Sequence, residues 1–251
     1  MQPNSKSKGL IVGGIVPVTT LDYPEHLSAV IFCQGCCWHC PYCHNASLID
    51  IGKQQENAPR WDSILSFLDQ RIGLLDAVVF SGGEPLLQPY LKQAIKEVKA
   101  KGFKIALHTN GHNPTFLQEL LPDIDWIGLD VKTLFTEYHR AVSPTKEAWE
   151  TAKKYNFGEK VSQSLDIILQ SGMTFEVRTT LDPRVIDKEM LKLLGEELAG
   201  KGVKNYALQE YRIIDASPSQ PSLSAITSFF EDKELISHFR NIFPNLIIRR
   251  A

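Results

Sequence analysis

Short apolar runs alternate with longer amphipathic segments along most of the chain. The runs are rich in β-branched and other apolar residues and are bounded by Gly, Pro or polar residues, which is typical of buried parallel strands. Six such strands are predicted at His26–Gln34, Ala77–Ser81, Lys104–Thr109, Trp126–Val131, Thr174–Thr180 and Tyr206–Tyr211. The amphipathic segments predict helices at Trp61–Arg71, Tyr90–Lys101, Thr115–Leu121, Pro144–Tyr155, Val161–Gln170, Lys188–Lys201 and Ser222–Ile242.

Repeated strand–helix units require right-handed crossovers and predict a mostly parallel sheet. The expected fold class is α/β: an incomplete (βα)6 TIM-type barrel with a short N-terminal extension and a C-terminal helix. A doubly wound open sheet competes with it, because periodicity does not separate the two. We expect a single domain over residues 1–251, with a core at about 24–212, an extension at 1–23 that holds a β-ribbon (Leu10–Val18), and a C-terminal segment at 213–251 with a final strand.

Composition narrows the function classes. At 43% hydrophobic and 22% charged residues, the 251-residue chain has an ordinary globular composition. Its formal net charge of −2 argues against a general nucleic-acid partner, which requires clustered positive charge. No stretch approaches the ~20 apolar residues of a membrane span, and the polar start lacks a signal-peptide pattern. We therefore expect a soluble, cytoplasmic protein with no nucleic-acid or membrane partner.

Cysteine usage points to a metal centre. All five cysteines lie between positions 33 and 43, whereas a disulfide framework would spread them to connect distant loops. The loop follows the first parallel strand, at the edge of the sheet where α/β enzymes build active sites. Zinc usually takes a second C-x2-C pair, which this chain lacks. Three thiolates around a four-iron cluster would leave one iron open for chemistry. Several triplets of the five cysteines remain possible on spacing alone.

A second motif follows the next predicted strand, where Gly82-Gly83-Glu84 ends the run Val78–Ser81. Two glycines at the end of a strand let the backbone approach a ligand closely. The peptide groups exposed there can form hydrogen bonds with an amino-acid moiety.

The two motifs together resemble those of the radical S-adenosylmethionine (SAM) superfamily. The spacing C-x3-C-x-aromatic-C matches Cys36, Cys40 and Cys43, with Tyr42 as the aromatic residue. The resemblance assigns these three cysteines to a [4Fe–4S] cluster. It does not include Cys33 and Cys37 among the cluster ligands. We expect Cys33 to be a buried residue at a strand end and Cys37 to be a loop thiol.

A nearer resemblance is to glycyl-radical-enzyme activating proteins, most of all the anaerobic ribonucleoside-triphosphate reductase activating proteins. It covers about residues 10–212 and is carried by Thr20–Pro24, Gln34–Cys36, Cys40–Asn45, Thr109–Gly111 and Asp130–Lys132. It implies one [4Fe–4S] cluster that cleaves SAM reductively to place a glycyl radical on a partner enzyme. That partner would be an anaerobic ribonucleotide reductase, and the electron donor a flavodoxin or ferredoxin-type reductant.

The resemblance also implies which residues contact SAM. Tyr42 and His44 would contact the adenine, and Gly82, Gly83 and Glu84 would hold the methionine amino group. The catalytic set would comprise the three cluster cysteines and Lys132.

Residues on later strands complete the implied cofactor site. Asp130 and Lys132 alternate along the fourth predicted strand, so we expect them to form a charge pair from which Lys132 reaches the SAM carboxylate. Asn110 ends the third strand at the same edge, where it would contact the cofactor or serve only as a turn residue.

The sequence does not fix the roles of two arginines, Arg178 and Arg212. Arg178 either contacts SAM or forms a salt bridge with Glu176 or Asp182. Arg212 stands where related activating proteins have a histidine near the SAM ribose. Two other functions stay open: a radical SAM enzyme with a small-molecule substrate, and a non-catalytic metal-binding module.

Overall fold

The computed structural model describes residues 9–51, 56–143, 145–213 and 220–251. Its strands are β1 Val12–Thr19, β2 Ser28–Cys33, β3 Ala77–Gly82, β4 Lys104–Thr109, β5 Trp126–Asp130, β6 Phe175–Leu181, β7 Asn205–Glu210 and β8 Asn245–Arg249. All six predicted parallel strands are present, and the predicted N-terminal ribbon is β1 paired antiparallel to β2. The first eight residues of the predicted extension lie outside the described residues.

The strand order decides between the two predicted architectures. The strands follow each other in the sheet as they do in the chain, from β1 to β8. The pairs β2–β3, β3–β4, β6–β7 and β7–β8 are parallel. A doubly wound sheet reverses its order at a switch point, whereas successive barrel strands do not. The α/β class with a parallel sheet is confirmed, and the order favours an incomplete (βα)6 barrel.

The described helices are α1 Trp61–Asp69, α2 Leu91–Lys99, α3 Pro114–Leu120, α4 His139–Val142, α5 Lys146–Ala152, α6 Phe157–Ser171, α7 Lys188–Gly200, α8 Leu223–Glu231 and α9 Lys233–Ile242. Helix α2 buries Leu91, Ala94, Ile95 and Val98, the spacing that its sequence predicted for one face. Helix α6 begins four residues before its predicted start. None of the described helices has the length and apolarity needed to span a lipid bilayer.

The prediction of a single C-terminal helix at Ser222–Ile242 is wrong, because two helices, α8 and α9, form there. Asp232 lies between α8 and α9 in an extended conformation (φ −76°, ψ 97°). Its carboxylate accepts a hydrogen bond from Leu235 N at 3.0 Å and forms an ion pair with Lys188 at 2.7 Å. An aspartate that caps the start of a new helix ends the preceding one, at Glu231.

The described chain divides into two compact units, each with its own core. The first unit comprises residues 9–37, 45–51, 56–109 and 115–127. The second comprises 38–44, 110–114, 128–143, 145–213 and 220–251. Buried clusters in them are Tyr23, Val30, Ala77, Val79, Ala106 and Trp126 in the first, and Tyr42, Ala141, Val185, Tyr211 and Ile226 in the second. The single domain with a core at about 24–212 stays a prediction.

Candidate active site

The two glycines at the end of β3, Gly82 and Gly83, lie directly against the backbone that leads into the cysteine loop (Cys33–Cys43). Gly82 pairs with Cys33 and has a φ of +109°, a conformation that glycine adopts without strain. Gly83 N donates to Cys33 O, and Glu84 N donates to Gly35 O, both at 2.9 Å. A Cβ on either glycine would overlap this backbone. The glycines are therefore required by the loop itself, as well as by any ligand.

Glu84 is 1% exposed, and its carboxylate is bound inside the first unit. Its Oε1 accepts a hydrogen bond from Leu86 N at 2.9 Å and another from Thr109 Oγ1 at 2.6 Å. The first of these bonds caps a short 3-10 helix, Pro85–Leu87. Glu84 thus joins the ends of β3 and β4, so its side chain stabilises this edge of the sheet.

The first half of the cysteine loop is held by residues that follow it. Gly35 N donates to Leu48 O at 2.7 Å, and Cys36 N donates to Ile49 O at 3.0 Å. The side chain of Asn45 donates to the Gly82 carbonyl at 3.0 Å. The first two bonds hold the backbone at Cys36 against Leu48 and Ile49, and the third connects Asn45 to the end of β3.

The five thiols differ in exposure. Cys33 is completely buried, and burial followed by the nearby Glu84 carboxylate raises its thiol pKa. Cys37 is exposed, and its hydrogen bond to Cys36, together with burial of the thiol, raises its pKa. Cys36, Cys40 and Cys43 are all partly exposed. The predicted positions of Cys33 at a strand end and of Cys37 in the loop are thus confirmed.

Cys40 and Cys43 occupy the two ends of one tight turn. Cys43 N donates to Cys40 O at 3.1 Å, and Pro41 fills the position where a proline ring favours such a turn. Within the described residues, no group of three or more His, Cys, Asp or Glu side chains is already arranged as a metal site. The donor set nevertheless fits an iron–sulfur cluster, since partly exposed thiols on a tight loop are the ligands that clusters take.

Lys132 and Asp130 form the predicted charge pair, although β5 ends at Asp130 and leaves Lys132 in the following loop. Lys132 Nζ lies 3.6 Å from Asp130 Oδ2 and 5.6 Å from the centroid of the buried Tyr42 ring. Burial lowers the pKa of Lys132, but Tyr42 and Asp130 raise it more, so its net pKa lies well above the ordinary value. Lys132 is therefore a charged ammonium beside the motif aromatic residue.

Arg178 binds neither of the partners expected from the sequence. Its Nε and Nη2 both lie 3.0 Å from Asp130 Oδ1, and Nη2 also donates to Gly128 O at 3.3 Å. A Cβ on Gly128 would lie 2.8 Å from the guanidinium carbon, so the small residue makes room for the arginine. The carboxylate of Asp130 therefore stands between two cations, and this group of three carries one net positive charge.

The two expected partners of Arg178 are taken by other arginines. Glu176 binds Arg249 at 2.7 and 2.9 Å, and Asp182 binds Arg184. Both expected salt bridges are therefore wrong.

Tyr138 supports this charged group and was not found by sequence reasoning. Its hydroxyl accepts a hydrogen bond from Lys132 N at 3.0 Å and donates to Asp130 O at 3.4 Å. It therefore holds the backbone on both sides of Val131. No motif marks Tyr138, which lies between a short 3-10 helix (Phe135–Glu137) and α4.

The other predicted cofactor residues lie in the second unit. Asn110 is buried, and its Oδ1 accepts from His112 N at 3.0 Å in a local turn. His44 is exposed, with its ring 6.2 Å from that of Tyr211, and it forms a hydrogen bond with the backbone of Arg212. Burial and the Arg212 charge lower the pKa of His44. His44 and the exposed Arg212 are thus neighbours.

Comparisons with known proteins agree with these motifs. Residues 30–196 match the family model described as the Radical SAM superfamily. A protein of Methanocaldococcus jannaschii with a provisional name as a glycyl-radical enzyme activating enzyme is 32% identical over 245 residues, which is 95% of each chain. The pyruvate formate-lyase-activating enzyme of Staphylococcus epidermidis is 34% identical over 131 residues, which is 48% of this chain and 52% of that one.

A solved structure supports the fold. Streptococcus suis SuiB bound to S-adenosylmethionine superposes with a TM-score of 0.62 at 14% identity. The match covers 87% of this chain and 48% of SuiB, so this chain spans about half the length of that protein. At this identity the likeness concerns the fold alone.

Proposed function

Since the chain belongs to the radical SAM superfamily and, within it, to the glycyl-radical-enzyme activating enzymes, we propose that it removes one hydrogen atom from a glycine of a partner enzyme. Members of this family are oxidoreductases that use a [4Fe–4S] cluster and SAM. When bound, the reduced cluster supplies one electron that splits SAM into methionine and a 5′-deoxyadenosyl radical. The observation that carries the proposal is the 32% identity over 95% of both chains to a relative named as such an activating enzyme.

Cys36, Cys40 and Cys43 are the proposed cluster ligands. Their spacing matches the superfamily motif, and all three thiols are partly exposed. Cys33 is excluded by its complete burial at the end of β2. Cys37 lies outside the spacing of the superfamily motif, so it is not proposed as a ligand.

The group Lys132, Asp130 and Arg178 is proposed to receive the carboxylate of SAM. Two cations around one carboxylate leave a positive charge, and Lys132 carries it next to the cluster motif through its contact with Tyr42. Arg178 would act through Asp130, because its guanidinium is already bound to Asp130 and to Gly128 O. The peptide groups at Gly82–Glu84 would receive the amino group of SAM.

The adenosine end of SAM is assigned to residues near the last cysteine. Tyr42 and His44 are proposed to contact the adenine, Arg212 the ribose, and Asn110 another part of the cofactor. The lowered pKa keeps His44 neutral at pH 7, so its imidazole can accept as well as donate a hydrogen bond. The backbone bond between His44 and Arg212 supports their action as one group.

The partner is proposed to be an anaerobic ribonucleoside-triphosphate reductase, and the electron donor a flavodoxin or ferredoxin-type protein. The motifs at Thr20–Pro24 and Cys40–Asn45 support this choice of partner. Relatives named pyruvate formate-lyase-activating enzymes make that lyase the competing candidate. We also propose a cytoplasmic location, where such reductants and partners occur.

The test is electron paramagnetic resonance on reconstituted, reduced protein with SAM and each candidate partner. The expected result is a glycyl radical doublet in the reductase, with one 5′-deoxyadenosine and one methionine formed per radical. Two controls should give no doublet: Cys40→Ser protein and a partner whose radical glycine is replaced by alanine. A doublet only in the lyase would overturn the choice of partner. Cleavage of SAM that depends on a small metabolite, with no protein radical, would overturn the activating function.

A further inference from the structure

The turn that carries two of the proposed cluster ligands has a polar contact outside the motif. Arg184 Nη2 donates to the carbonyl oxygen of Pro41 at 3.3 Å. Pro41 follows Cys40 directly, inside the turn closed by the Cys43 N to Cys40 O bond. The arginine lies 143 positions later in the chain, so no local pattern links it to the loop.

Arg184 is itself fixed by a buried carboxylate. Its Nε lies 3.0 Å from Oδ1 and 3.1 Å from Oδ2 of Asp182, and its Nη2 lies 2.5 Å from Oδ2. The guanidinium carbon also lies 5.4 Å from the centroid of the Tyr211 ring. A planar guanidinium held at two edges and over a ring has little rotational freedom, so its contact with Pro41 has a defined direction.

Asp182 provides a rigid anchor because it is completely buried at the end of β6. Its Oδ1 accepts from Arg184 N at 2.9 Å, and its carbonyl accepts from Val185 N and Ile186 N at 2.9 and 3.0 Å. A buried carboxylate that loses its cation is left as an uncompensated charge, so Asp182 and Arg184 are held together strongly.

The turn also packs against an apolar cluster. Tyr42 packs in the buried cluster with Val185, Tyr211 and Ile226, and Cys40 packs against this cluster. The turn is thus held by apolar packing and by the Arg184 hydrogen bond to Pro41 O. A salt bridge with Asp182 alone does not account for the hydrogen bond that Arg184 also donates to the carbonyl oxygen of Pro41.

We propose that Arg184, anchored on Asp182, is a positioning residue that holds the Cys40–Cys43 turn in its ligand geometry and whose charge balances the buried Asp182 carboxylate beside this turn. The inference rests on the proposed function, in which Cys40 and Cys43 are cluster ligands. Partners that orient ligands typically change metal retention by about 10- to 100-fold. Charge and hydrogen bonds near a cluster set its reduction potential.

The test compares Arg184→Gln with Arg184→Lys in reconstituted protein. Arg184→Gln should lose iron to a chelator about 10- to 100-fold faster than wild type and have a lower cluster reduction potential. Arg184→Lys keeps the charge but lacks the Nε contacts with Asp182 that fix the direction of the side chain, so it should restore the potential and still lose iron faster than wild type.

The matched control is Arg249→Gln. Arg249 also binds a buried carboxylate, that of Glu176, through two nitrogens. It should lower thermal stability without changing iron loss or potential. If Arg184→Gln and Arg249→Gln change iron loss equally, or if the potential of Arg184→Gln equals that of wild type, Arg184 is only structural and the proposal fails.

A measurement on cluster-free protein separates this inference from the proposed function. At fixed pH, iodoacetamide should alkylate Cys40 and Cys43 about tenfold faster in Arg184→Gln than in wild type, as expected for a turn that opens more often. Cys36, whose backbone is held by Ile49, should react at an unchanged rate. Equal rates at all three cysteines would overturn the positioning role. Wild-type protein that holds no cluster, while these rates differ, would overturn only the proposed function.

Discussion

Replacement of Gly83 by alanine tests whether the glycine pair is required by the cysteine loop or only by a ligand. A Cβ there would lie 2.8 Å from the carbonyl carbon of Gly35 and 3.0 Å from Leu48 O. Carbon atoms in good contact are about 3.5–4.0 Å apart, so the loop must move by about 1 Å. That displacement breaks or lengthens the bonds from Gly83 N to Cys33 O and from Glu84 N to Gly35 O.

The expected destabilisation follows from these contacts. Two backbone hydrogen bonds contribute about 0.5–1.5 kcal/mol each, and the overlap adds about 1–3 kcal/mol. Alanine also lowers the conformational entropy of the unfolded chain, which offsets about 0.4–1 kcal/mol of this destabilisation. The free energy of unfolding of Gly83→Ala should therefore fall by about 1–6 kcal/mol.

Urea unfolding of cluster-free protein, followed by circular dichroism, measures this difference without any ligand. Gly14→Ala is the matched control, because Gly14 lies in the same unit and a Cβ there would meet nothing within 4 Å. Its stability should be unchanged or higher by up to about 1 kcal/mol. If Gly83→Ala unfolds like Gly14→Ala, the close approach to the cysteine loop does not require the glycine, and the reasoning is refuted.

Three further predictions concern the second unit. Lys132→Met should weaken SAM binding by about 10- to 100-fold in equilibrium dialysis, since a hydrogen bond to a charged group contributes about 1.5–3 kcal/mol; unchanged binding would remove Lys132 from the site. Burial, followed by the Lys160 charge, lowers the pKa of His112 to about 4, so protonation favours the unfolded chain. The contribution of neutral His112 to the free energy of unfolding is fully present above about pH 6.5 and is lost as the pH falls towards 4. The loss amounts to up to about 2 kcal/mol between pH 7 and 5. In urea unfolding, the stability of His112→Gln should fall less than that of wild type between pH 7 and 5. The same pH dependence in both proteins would show that His112 does not cause the loss. Tyr206→Phe removes the hydroxyl that donates to Thr179 Oγ1 at 2.8 Å and should lower the free energy of urea unfolding by about 1 kcal/mol; equal stability would show that this bond contributes nothing.

Much of the fold follows from local patterns in the sequence. The strand predicted at Lys104–Thr109 forms with those bounds, and α2 buries the face that its apolar spacing predicts. Strand–helix alternation predicts a parallel sheet because each crossover must return to the same edge. Helix ends were predicted less well at Asp232, where a side-chain cap divides one amphipathic pattern into two helices.

Which charges meet was decided only by the tertiary structure. Glu176 and Arg178 lie two residues apart on β6, yet Glu176 binds Arg249 and Arg178 binds Asp130. Each chosen partner lies on another strand, 73 and 48 positions away, and is selected by how the strands align. Spacing along one strand brings side chains to the same face but does not say which neighbour lies opposite.

The sequence by itself determined the chemistry of the candidate site: its thiols and their spacing, its glycine pair and the charge pair after β5. These are local properties, since ligand spacing within a loop and alternation along a strand need no distant partner. The tertiary structure decided what holds those groups in place. Arg184 reaches Pro41, and Gly83 packs against Gly35, only once parts of the chain that are far apart in sequence lie side by side. Tyr138 holds the backbone beside Lys132 because the chain turns back after β5.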